Sequence, residues 1–136
     1  MSVTPRLIDF PTIGSSLLGY ISVAEFSKNV PFEIKRVYWT YYTPHDVQRG
    51  GHAHKRLEQL VFAVSGIIEF STEDRMGNSN KFILDQPHIG IYFPALVWRQ
   101  IKFSHNAVLL CIASSEYEEG DYIRDYNDFL IFNGRL

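Results

Sequence analysis

Apolar and polar side chains alternate along most of this chain, in short runs broken by turn residues. The segment "FEIKRVYWTYY" (32–42) sets Ile34, Arg36, Tyr38 and Thr40 on one face and Lys35, Val37, Trp39 and Tyr41 on the other. That period of two is the signature of a strand. "YISVAEF" (20–26) predicts another strand, ended by the polar "SKN". "LEQLVFAV" (57–64) and "IIEFSTE" (67–73) flank Ser65-Gly66, a two-residue hairpin signal. The turn "DRMGNSN" (74–80) leads into "KFILD" (81–85), and "IGIYF" (89–93), "LVWRQIKF" (96–103) and "AVLLCIA" (107–113) complete the strands. "TPHDVQRGG" (43–51) reads as a loop, punctuated by Pro and paired Gly. In the tail, "EEGDYIRDYNDFLIF" (118–132), Tyr122, Tyr126 and Phe129 fall at helical spacing and predict a short C-terminal helix. Many short strands at close spacing predict an all-β sandwich or barrel, a single domain over residues 1–136.

Composition agrees with β structure. Aromatic residues make up 15% of the 136 residues, and such side chains pack well on pleated faces. A net charge of -2 gives no overall attraction to nucleic acid or an anionic membrane. Cys111 is the single cysteine, so no intrachain disulfide is possible and no oxidising compartment is needed. It reads as a small buried hydrophobe. The opening "MSVTPRLIDF" has no basic region followed by an apolar one, and no apolar run is long enough to span a bilayer. The expectation is a soluble cytoplasmic protein.

Chemistry concentrates in "RGGHAHKRLEQ" (49–59). On a strand, His52 and His54 project to one side with Ala53 opposite. With Glu58 they form H-x-H-x3-E, which resembles the first motif of the cupin superfamily, a set of metal ligands. The second cupin motif ends in a further His ligand, and the matching stretch "PALVWR" has Arg99 there. A guanidinium has no free lone pair and repels a divalent cation, so no metal is expected. Two neutral imidazoles in a partly dry pocket suit proton transfer instead. Tyr38 shares a strand face with Arg36 and is placed to relay protons or bond an oxygen. Arg36, Arg49 and Arg99 are candidates to hold phosphates or a developing oxyanion. Gln59 and Tyr92 are candidates for the pocket wall.

"PFEIKRVYW", "RGGHAHKRLEQ", "GIYFPALVW" and "DYIRDYNDFL" together resemble the nucleotide-sugar 3,4-ketoisomerases, small cupins of the WxcM-like C-terminal type. The resemblance runs from about Gly19 to the C-terminal segment. It implies a double-stranded β-helix, or jelly roll, and a homodimer with exchanged N-terminal strands. It implies metal-independent, cofactor-free conversion of a dTDP-linked 4-keto-6-deoxy-glucose to its 3-keto isomer, ahead of transamination to an amino sugar for surface polysaccharides. The family's active-site histidines fall on His52 and His54, and its tyrosine on Tyr38. His52 is then the base at C3, with His54 and Tyr38 moving the proton between oxygens. Leu18 and Arg99 stand where many members have Arg and His, and this pair is read as marking the gluco product. An RmlC-type epimerase, a metal-dependent cupin and a non-catalytic sugar-binding cupin are the rival readings.

Overall fold

Twelve strands form two five-stranded sheets and one separate hairpin in the computed structural model, which describes residues 3–136. The first two residues of the expected unit lie outside the described residues. The strands are β1 (Arg6–Asp9), β2 (Ile13–Ser15), β3 (Gly19–Ile21), β4 (Arg36–Thr40), β5 (Gln48–His54), β6 (Gln59–Ser65), β7 (Ile68–Glu73), β8 (Ser79–Leu84), β9 (Ile89–Phe93), β10 (Trp98–Phe103), β11 (Val108–Ala113) and β12 (Tyr122–Ile123). A 3₁₀ turn (Glu119–Asp121) precedes β12, and helix α1 (Tyr126–Phe132) follows it.

One sheet has the order β1-β9-β6-β11-β4 and the other β12-β5-β10-β7-β8, with every pairing antiparallel. This is the expected all-β jelly roll with a short C-terminal helix. Alternation decides which residues meet between the sheets. Val61, Ala63, Phe70, Ile91, Phe93, Leu109 and Cys111 turn inward into one buried cluster. Leu60, Phe62 and Ile112 point the opposite way and are covered by Phe10, Val30 and Phe32 from the N-terminal segment. Ala53, opposite the histidines, packs on Ile123 and Phe129, which anchors α1.

Several local expectations give way to the long-range pairing. Ser65-Gly66 does not close a hairpin. β6 pairs with β9 and β11, whereas β7 pairs with β8 and β10, so the chain crosses between sheets at this point. Gly66 has φ 76°, and a Cβ there would lie 2.7 Å from the Ala107 Cβ. The expected loop 43–51 ends inside β5. Gly50 takes φ 86° where the pairing with β10 shifts register, and a Cβ on it would come within 2.9 Å of the Arg99 carbonyl oxygen. Of the expected strand 20–26 only Tyr20 and Ile21 belong to β3, and Phe26 makes an isolated bridge to Val30. The helical spacing of the tail begins too early: Tyr122 pairs with His54 on β12, and the helix starts at Tyr126, capped by Asp125. No helix of the described residues is long and apolar enough to cross a membrane.

Candidate active site

Four strands bring the polar side chains of the interior together. β4 contributes Arg36 and Tyr38, which alternate inward while Val37 and Trp39 stay exposed. β5 contributes Arg49, His52 and His54, and its glycine-led bulge sets this end of the strand against Arg99 on β10. β6 adds Gln59 at its first position. An inner cavity of about 110 Å³ is bounded by Tyr38, Arg49, His52, Gln59 and Arg99. An outer bowl of about 370 Å³ is bounded by Arg36, Tyr38, Arg49, His52, Tyr117 and Arg124. Tyr38, Arg49, Gly50 and His52 belong to both, so they stand where bowl and cavity meet.

The imidazoles of His52 and His54 stand edge to face with centroids 4.9 Å apart, and both rings pack against Tyr122 at 5.2 and 4.4 Å. They differ in access. His52 is half-buried and lines both spaces. His54 is 1% exposed and lies behind it, bounding neither. Neither ring nitrogen of His54 has a hydrogen-bond partner, and its Nδ1 lies 3.8 Å from the Asp121 carboxylate. That carboxylate is engaged elsewhere, accepting from the Arg56 and Leu57 backbone amides at 2.9 and 3.1 Å. Burial and the Arg99 cation lower His52 to about 3, and burial, Arg99 and His52 lower His54 to about 2. Both imidazoles are therefore neutral at physiological pH.

Arg99 is 3% exposed and lies over the Phe93 ring at 4.2 Å. It donates to the Val97 carbonyl at 3.1 Å and to Gln59 Oε1. Burial lowers its guanidinium only to about 10, so it stays charged. Gln59 in turn donates from Nε2 to the Tyr38 hydroxyl at 3.0 Å and to Cys111 Sγ at 3.3 Å. Burial pushes the Tyr38 phenol well above its usual value, so it is a donor rather than a phenolate. Arg36 lies over the rings of Tyr38 and Tyr117 at 5.2 and 5.7 Å.

Tyr92 is not brought to this cluster. On β9, Ile91 and Phe93 turn inward, and the intervening Tyr92 turns out toward Phe32 and Arg6. Its hydroxyl donates to Glu58, which removes Glu58 from the histidines as well. Among the described residues, no group of three His, Cys, Asp or Glu is arranged to hold a metal ion. Leu18 is 92% exposed in the β2–β3 turn and bounds neither space. Sequence reasoning missed Tyr117, Tyr122 and Arg124, which close the bowl. Arg124 lies over the Tyr122 ring at 4.1 Å and pairs with Glu119 at 2.8 Å. The only local signal was the density of Tyr and Arg in 117–126, which a helical reading placed on the wrong element.

Residues 3–134 match the family model "FdtA: WxcM-like, C-terminal". The chain is 38% identical over 126 residues to a TDP-4-oxo-6-deoxy-alpha-D-glucose-3,4-oxoisomerase of Aneurinibacillus thermoaerophilus, covering 91% of this chain and 88% of that one. A 3,4-ketoisomerase from Helicobacter canadensis superposes with a TM-score of 0.91 at 36% identity, covering 98% of this chain and 99% of the other. The WlaRB TDP-quinovose 3,4-ketoisomerase from Campylobacter jejuni superposes with a TM-score of 0.87 at 39% identity, covering 93% and 97%.

Proposed function

The chain belongs to the FdtA, WxcM-like C-terminal family and is a sugar 3,4-ketoisomerase, and we propose that it converts TDP-4-keto-6-deoxy-glucose to TDP-3-keto-6-deoxy-glucose by proton transfer between its own side chains and the sugar. The observation that carries the mechanism is the position of His52. It is the neutral imidazole at the junction of bowl and cavity, with Tyr38 and Arg99 on the cavity wall.

The reaction moves a carbonyl without net oxidation. His52 takes the proton from C3, and the electron pair forms the C3–C4 double bond as the C4 carbonyl becomes an enediolate. The Tyr38 hydroxyl and the Arg99 cation stabilise that oxygen. Protonation gives the enediol. Loss of the O3 proton and return of a proton to C4 then place the carbonyl at C3. His52 is a weak base while burial and the Arg99 and Arg124 cations act on it. The diphosphate of the nucleotide and the developing enediolate add negative charge and raise it. His54 lies behind His52 with neither ring nitrogen hydrogen-bonded, so its role in moving protons is exerted beside His52 rather than by touching the sugar. Arg36, Arg49 and Arg124 rim the bowl and suit the diphosphate. Tyr92 has no part in this reading.

Metal independence follows from the donor set, since Arg99 occupies the last ligand position and Glu58 is held by Tyr92. The gluco product is favoured by the higher identity to a TDP-quinovose 3,4-ketoisomerase, 39%, than to a TDP-fucose 3,4-ketoisomerase that superposes equally well, 32%, quinovose being 6-deoxyglucose. A 3-keto sugar is a substrate for transamination, which places an aminotransferase next in sequence.

The exchanged homodimer rests on the β2–β3 hairpin, which among the described residues pairs with no other strand. It carries Ile13, Leu17, Tyr20 and Ile21, all more than half exposed. Beside it, Phe10, Tyr20, Phe62, Leu110 and Ile112 line an apolar groove of about 570 Å³. Apolar surface of this kind calls for a partner.

The test of the activity is incubation with TDP-4-keto-6-deoxy-glucose in deuterated water, followed by NMR. Migration of the carbonyl from C4 to C3 is expected. Inversion at C3 or C5 with the ketone left at C4 would establish an RmlC-type epimerase instead. Binding without either change would establish a non-catalytic cupin.

A further inference from the structure

We propose that Gln59 is a positioning residue whose amide, oriented by Arg99, holds the Tyr38 hydroxyl as a donor aimed into the cavity. The inference rests on the ketoisomerase reading and assigns Gln59 a role that needs no contact with the sugar. Gln59 is 2% exposed at the cavity wall. A guanidinium can only donate, so the atom of Gln59 facing Arg99 must be the amide oxygen. The amide nitrogen then faces Tyr38 and Cys111, at 3.0 and 3.3 Å, and both of its protons are used. Gln59 therefore donates to the Tyr38 oxygen and offers nothing to accept the Tyr38 proton. Cys111 Sγ, within hydrogen-bonding reach of the Tyr38 hydroxyl, is a weak acceptor that already takes a bond from Gln59. The strong acceptor left to the phenolic proton is an oxygen in the cavity, where the enediolate forms. The orientation is set by a charge, because every partner of Arg99 named here is neutral: Gln59, the Val97 carbonyl and the Phe93 ring. The same chain of contacts leaves the Arg99 charge uncompensated beside His52.

Substituting Gln59→Glu separates this role from packing. An ionised glutamate of the same shape only accepts, so it pairs with Arg99 and accepts a hydrogen bond from the Tyr38 hydroxyl, turning that donor away from the cavity. The kcat falls about 10-fold or more, with KM changed by less than about 3-fold. It also weakens the Arg99 field at His52, whose other charged or titratable neighbours are Arg36 and Tyr38 on β4, Arg49 and His54 on β5, Tyr122 on β12, and Tyr117, Glu119 and Arg124 from the C-terminal segment. His52 becomes more basic, so activity at about pH 5 falls relative to that at about pH 8. Gln59→Met keeps the length of the side chain and leaves the Arg99 charge in place. It lowers kcat without moving that pH ratio. That pH shift reports only the added charge beside Arg99, so the positioning role is read from the loss of kcat and from its coupling to Tyr38. A double-mutant cycle decides the matter independently of how Gln59→Glu folds. In a Tyr38→Phe background, Gln59→Met changes kcat by less than about 2-fold, because the group it positions is gone. Full additivity in that cycle, or Gln59→Glu with unaltered kcat and pH ratio, overturns the proposal. TDP binding by each variant reports folding. Failure of the unaltered protein to turn over TDP-4-keto-6-deoxy-glucose would refute the substrate assignment and is read separately.

Discussion

His52 and His54 stand edge to face with ring centroids 4.9 Å apart, yet only His52 bounds the space a sugar can enter. On the proposed mechanism His52 is the group that meets the substrate and His54 acts behind it. His52→Asn is expected to lower kcat by ~10²–10⁴-fold and to abolish exchange of the C3 proton with deuterated solvent. His54→Asn is expected to slow product formation while sparing part of that exchange. Near-normal turnover by His52→Asn would remove it as the base.

Chelation tests the donor set. With Arg99 at the last ligand position and Glu58 bound to Tyr92, exhaustive treatment with a chelator is expected to leave isomerase activity intact. Loss of activity that one added divalent metal restores would overturn metal independence.

Stability should fall in mild acid. Both histidines lie below the unfolded value of about 6.5, at about 3 and about 2, because burial and Arg99 disfavour their charged forms. Below about pH 6.5 the unfolded chain binds protons that the folded chain refuses, so stability drops as pH falls toward about 3. Urea midpoints are expected to decline from pH 7 to pH 5, and less steeply in His54→Asn. A flat profile in the unaltered protein would contradict the burial of neutral imidazoles.

Assembly can be read from mass. Light scattering at micromolar concentration is expected to give a dimer, and Ile21→Asp, on the exposed hairpin, is expected to shift it toward monomer. A stable, fully active monomer of the unaltered chain would refute strand exchange.

The configuration at C4 is the last test. The product is to be trapped with a 3-aminotransferase and its ring couplings measured. Large diaxial H3–H4 and H4–H5 couplings are expected for the gluco product. A small H4–H5 coupling would mean the galacto product and would show that Arg99 does not govern the face of protonation.

The period-two pattern of the sequence already determined which side chains of a strand share a face. It put Arg36 with Tyr38 and His52 with His54, because alternation is a property of the backbone within a few residues. It also singled out Arg99 as a cation in a strand otherwise built for burial. Only the tertiary structure decided which faces meet. Ser65-Gly66 announces a reversal, but whether β7 pairs with β6 or passes to the other sheet depends on β10 and β11, tens of residues away. Gln59 reaches Tyr38 across 21 positions and Arg99 across 40, so nothing local could have shown that it links them. Tyr92, a candidate for the pocket wall, is turned outward by the parity of one strand. Tyr122 carried a helical spacing and became a strand residue, because the backbone of β5 offered it a partner at His54. Periodicity is written locally, while pairing is settled by which apolar faces can be buried against each other at once.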